Sequence, residues 1–103
     1  MRAPLRLRDE REREVVKVWR EGHLSPGSVK TYLSWVRRFR RYCRQRKLDE
    51  INELIMSSAG RFIDRYEGPR TKGAISPDTR AIALRSLHAW ACGLAAIGLR
   101  AYP

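Results

Sequence analysis

The sequence predicts an all-α fold, a compact four-helix bundle formed by one domain over residues 1–103, and three observations carry that prediction. Two phrases, LSPGSVKTYL at 24–33 and ISPDTRAIAL at 75–84, share one design: Ser-Pro, a spacer, a hydroxyl residue and an apolar-rich run. Behind each phrase, apolar residues recur at three- and four-residue spacing, which puts them on one face of a helix. No stretch sustains the polar–apolar alternation of a half-buried strand.

Each phrase is a helix start. Ser25 and Ser76 suit the N-cap, Pro26 and Pro77 fall at N1 where a missing N–H costs nothing, and Ser28 and Thr79 fall at N3.

The first helix spans roughly 8–21 (RDEREREVVKVWRE), with apolar positions only at Val15, Val16, Val18 and Trp19. It is expected to fray at its acidic start, pack through its last turns and stop at Gly22. The second runs from Pro26 to about Lys47, with Val29, Tyr32, Leu33, Val36, Phe39 and Cys43 as its buried stripe, widened by Trp35 and Tyr42. The third pattern lies between Asp49 and Tyr66. Ser57-Ser58-Ala59-Gly60 interrupts it, leaving one helix or a short turn followed by a helix as alternatives. The loop EGPRTKGAI follows, and its Gly-Pro and Lys-Gly elements stop any helix. The fourth helix runs from Pro77 to about Ile97, with Leu84, Leu87, Trp90, Ala91, Leu94 and Ile97 facing the core and Gly98 as its stop.

The chain has 22 Lys+Arg against 11 Asp+Glu, a net charge of +11, which points to a polyanionic partner. Residues 25–48 hold eight cations (Lys30, Arg37, Arg38, Arg40, Arg41, Arg44, Arg46 and Lys47) and no Asp or Glu. On a wheel, Lys30, Ser34, Arg37, Arg41 and Arg44 share one stripe nearly opposite the apolar one, with Arg38 at its edge. Acidic partners at i,i+4 are absent, so phosphates are the natural counter-charge. Arg70 and Lys72 add a basic loop. The fourth helix offers a smoother outer face of Ile82, Arg85, Ser86, Ala89 and Gly93, suited to close approach. The two helix starts offer orphan N–H groups to phosphate.

Other chemistry finds little support. Cys43 and Cys92 lie far apart and His23 and His88 are the only histidines, so no ligand cluster for a metal exists and both cysteines read as buried thiols. No cofactor motif and no nucleophile–base pair can be nominated. His88 reads as packed or partly exposed, and the acidic run 9–14 as a solvated helix end. MRAPLRLRDE lacks the apolar region of a secretory signal, and no apolar run is long enough for a membrane span. A cytoplasmic, DNA-associated location is expected.

The order of these elements resembles the N-terminal core-binding, SAM-like domain of tyrosine recombinases and phage integrases. Leu24, Ser25, Tyr32, Val36 and Phe39 match one family phrase, with Ser28 replacing Thr. Ser76, Thr79, Leu84 and Leu87 match another, with Trp90 at its aromatic position and His88 where Arg is common. The resemblance covers about residues 10–103. It implies a domain that clamps duplex DNA at a recombination site, with the second and fourth helices against the major groove. Other protomers on the DNA would be partners, through the first helix. It also implies no catalytic residue here, because the catalytic set lies in a separate C-terminal domain. Tyr102 is then a linker residue, residues 1–8 a candidate disordered arm, and 99–103 the start of a linker.

The surface so assigned comprises Lys30, Arg37, Arg38, Arg41 and Arg44 on phosphates or base edges. Ser28, Thr31, Ser34, Thr79, Arg85 and Ser86 complete it, and Arg70 and Lys72 flank it. Two other functions fit the same charge: an RNA-binding helical domain, and a protein-interaction bundle that makes contact through the small-residue face of the fourth helix.

Overall fold

The computed structural model describes residues 6–54, 62–64, 66 and 76–99. The Ser57–Gly60 interruption, Arg70, Lys72, Tyr102, residues 1–5 and residues 100–103 lie outside them. Four helices are named here: α1 (Glu10–Glu21), α2 (Pro26–Arg46), α3 (Glu50–Glu53) and α4 (Pro77–Ala96). The fold is all-α.

Asp9 caps α1, its carboxylate accepting from the Glu12 N–H at 2.9 Å, so the helix is secured at its acidic start. The two Ser-Pro phrases begin α2 and α4 in the same way. Ser25 Oγ accepts from the Ser28 N–H at 3.2 Å and donates to Ser28 Oγ at 2.9 Å. Ser76 repeats both bonds with Thr79, at 3.3 and 2.9 Å.

The three long helices also end alike. In each, the sixth residue's N–H reaches back to the first residue's carbonyl: Leu24 to Trp19, Leu48 to Cys43, and Leu99 to Leu94. The left-handed residue this motif requires is His23 (φ 65°) after α1, Lys47 (φ 56°) after α2 and Gly98 (φ 81°) after α4. Gly22 is therefore not the left-handed stop that the sequence predicts; its φ is −81° and His23 takes that role.

α4 packs against both α2 and α1. The core joins Val15, Val16 and Trp19 of α1, Val29, Leu33, Trp35, Val36, Phe39 and Cys43 of α2, and Ala83, Leu87, Trp90, Ala91 and Leu94 of α4. Each large side chain among them contributes about 1.5–3 kcal/mol through burial. Phe62 and Ile63 close one side, with Phe62 edge-on to Phe39 at 5.4 Å. α3 ends at Glu53, Leu54 lies in a turn and 62–64 are helical, so the third pattern is not one continuous helix.

Two expectations for α4 are corrected. Leu84 is 39% exposed, and Ala83 takes its place on the Ala83–Leu87–Trp90–Leu94 line. The small-residue face does not point outward. Gly93 lies against Val15, the Ala89 carbonyl accepts from Trp19 Nε1 at 3.0 Å, and Ser86 is fully buried. Small residues there let α1 approach α4 closely.

Candidate nucleic-acid interface

The outward face of α2 is set by its inward one. With Val29, Leu33, Val36, Phe39 and Cys43 buried, the helical repeat turns Lys30, Ser34, Arg38, Arg41 and Arg44 to solvent. Arg38 lies 4.5 Å from the centre of the Trp35 ring, which steadies its guanidinium without neutralising it. Lys30, Arg38, Arg41 and Arg44 make no ion pair among the described residues.

Arg37 and Arg40 behave differently. Arg37 forks onto Glu12 of α1, with Nε to Oε1 at 3.0 Å and Nη2 to Oε2 at 3.1 Å. Arg40 holds Asp9 at 2.7 Å and Glu50 at 2.9 Å, and its guanidinium lies 5.4 Å from the Trp90 ring centre. The cationic row is thus compensated in part, by carboxylates from other helices rather than from i,i+4 neighbours. Glu12, only 1% exposed, is no solvated helix end.

Burial pushes the Glu12 carboxyl up, but the Arg37 hydrogen bonds, the Arg8 N–H and the Arg37 charge outweigh it and hold its pKa below the usual value. Asp9 is likewise raised by burial and lowered further by Arg40 and the Glu12 N–H, with a net depression. Arg40 is lowered by burial yet raised on balance by Asp9 and Glu50. These charges are locked.

A concavity of about 470 Å³ opens on this face, lined by Arg8, Lys30, Leu33, Ser34, Arg37, Arg38 and Arg41. Five of the residues assigned from sequence therefore meet at one place: Lys30, Ser34, Arg37, Arg38 and Arg41. Ser28, Thr31 and Arg44 lie elsewhere on α2, and Ser28 and Thr79 accept from their cap serines. Arg85 is exposed on α4. Ser86 is excluded from any surface: its hydroxyl donates to the Ile82 carbonyl at 2.7 Å inside the core. Arg8 is the residue the sequence reading missed. Its only signal there was an Arg-Leu-Arg triplet ahead of the cap.

The description "phage integrase, N-terminal SAM-like domain" matches residues 16–93. The chain belongs to that family. The all-α architecture agrees with this SAM-like domain, which in integrases is a non-catalytic part of proteins of site-specific recombination. The match takes in α2, α3, α4 up to Gly93 and the second half of α1, whereas Arg8 and Glu12 precede it. No curated protein and no solved structure matches the chain. Among the described residues no group of His, Cys, Asp or Glu could hold a metal ion, and no helix is long and apolar enough to cross a membrane. His88 is exposed on α4. It lies 3.5 Å from Cys92, which is only partly buried, in contrast to buried Cys43.

Proposed function

We propose that the chain binds duplex DNA through the outward face of α2, as the DNA-gripping N-terminal part of a tyrosine recombinase whose chemistry resides in another domain. The observation that carries this reading is a sorting of charge. Arg37 and Arg40 are neutralised by Glu12, Asp9 and Glu50, while Lys30, Arg38, Arg41 and Arg44 share the outer face and make no ion pair among the described residues. Phosphates meet that need, and binding them releases condensed counterions. Lys30, Arg38, Arg41 and Arg44 act on the backbone, setting position rather than sequence. Ser34 and Thr31, exposed on the same helix, are the base-edge contacts of this reading. Assembly with other protomers on the DNA belongs to the same reading.

The test is duplex binding with single truncations. Lys30→Ala, Arg41→Ala and Arg44→Ala should each weaken binding of a labelled duplex and flatten the salt dependence by about one phosphate's worth. Undiminished binding in all three would remove α2 from the interface.

A further inference from the structure

Residues Arg6–Arg8 run ahead of α1 and are fastened to α2. The Arg8 backbone N–H donates to Glu12 Oε2 at 2.7 Å, Arg37 Nη2 donates to the Arg6 carbonyl, and Leu7 packs against the core. Glu12 is therefore a buried hub, gripping the arm through one oxygen and Arg37 through both. The Arg8 side chain takes no part in this fastening. It is exposed, makes no ion pair among the described residues, and forms one wall of the concavity whose other cations are Lys30, Arg37, Arg38 and Arg41.

Such a basin is costly when empty. Its cations repel one another, and Glu12, the carboxylate that meets Arg37, is already held by it. Its volume of about 470 Å³ lies in the range of ligand sites, with room for a phosphodiester and parts of its flanking sugars. The arm is anchored before any ligand arrives, so little ordering cost remains on binding.

We propose that this basin, built jointly by the arm and α2, seats one backbone phosphodiester of the duplex, with Arg8 as a phosphate contact supplied from outside α2. The inference rests on the duplex-binding reading but goes beyond it, since Arg8 and Glu12 both precede the residues matched by the family.

The experiment is a salt titration of a fluorescent duplex with the whole chain, comparing wild type, Arg8→Ala and Arg13→Ala. Arg8→Ala keeps the backbone N–H that Glu12 needs, and circular dichroism should show an unchanged helix content. It should shallow the log–log salt slope by about 0.9, which is about a fivefold loss of affinity near 0.15 M salt if the lines meet at 1 M. Arg13, exposed on α1 and paired with Glu10, should change neither quantity when truncated. If wild type binds and Arg8→Ala matches it in slope and affinity, the basin is not a phosphate seat and the duplex reading stands without it. If wild type does not bind, both fall together.

Discussion

Arg37 of α2 and Glu12 of α1 form a two-pronged ion pair at 3.0 and 3.1 Å, with the carboxylate 1% exposed and the guanidinium side chain 22% exposed. An arginine that looks like the centre of a DNA-binding stripe is in large part a structural clamp. Arg41, one turn further along, is exposed and makes no ion pair among the described residues.

That difference separates the two residues experimentally. Arg37→Ala leaves a buried carboxylate without its main partner and should cost about 3 kcal/mol, the lower end for such a loss, because Arg40 and the Arg8 N–H remain nearby. Arg41→Ala should change stability by less than about 0.5 kcal/mol. Urea denaturation midpoints read both. Only the Arg41 variant reports cleanly on ligand binding.

The same cluster sets an acid limit. The folded pKa values of Glu12 and Asp9 lie below their unfolded values of 4.5 and 3.8. Their contribution is therefore complete above those values and lost as pH falls through the depressed folded ones. Stability should be flat with respect to these groups from pH 7 to about pH 5.5 and fall below about pH 4.5. Glu12→Gln should lose part of that acid dependence, as read from urea midpoints against pH.

Gly93 tests the α1–α4 contact. A methyl there would meet Val15 Cγ1 inside van der Waals contact, with Cβ and Cγ2 at 3.3 Å. Val15 is fully buried and stiff at χ1, so it yields poorly. Gly→Ala gains about 1 kcal/mol in a helix interior, whereas overpacking costs about 1–3. A net loss of stability is expected, and thermal unfolding of Gly93→Ala gives the sign. Val15→Ala in the same chain should relieve part of the overpacking.

Cys43 is predicted to be inert. Burial, with smaller contributions from Glu50, Glu53 and Asp49, pushes its thiol up to about 12. A thiolate-dependent alkylating agent at pH 8 should label it only after denaturation, as peptide mass mapping would show.

The sequence made much of this legible where local chemistry decides. Ser25 and Ser76 cap as their neighbours dictate, and Val29, Leu33, Val36, Phe39 and Cys43 are buried as their spacing requires. What failed depends on partners distant in the chain. A wheel for α2 cannot reveal that Glu12, 25 residues before Arg37, supplies its counter-charge. Ser86 and Gly93 read as an outer face because small residues carry no strong hydropathy signal, yet they mark where α4 meets its neighbours. His23 adopts φ 65° beside a glycine that would accept it more easily, because the hydrogen bonds closing α1 fix which residue turns. Arg8 drew no notice, since nothing local says that an arm will be tied down by a buried carboxylate.

The central claim is that the outward-facing cations of α2 meet duplex phosphates. The most direct measurement is the affinity of the intact chain for a labelled duplex from about 0.05 to about 0.3 M salt. With four phosphates engaged by Lys30, Arg38, Arg41 and Arg44, the log–log slope should be about −4, one unit steeper if Arg8 joins them. No binding at the lowest salt, or an affinity indifferent to salt, would contradict the account.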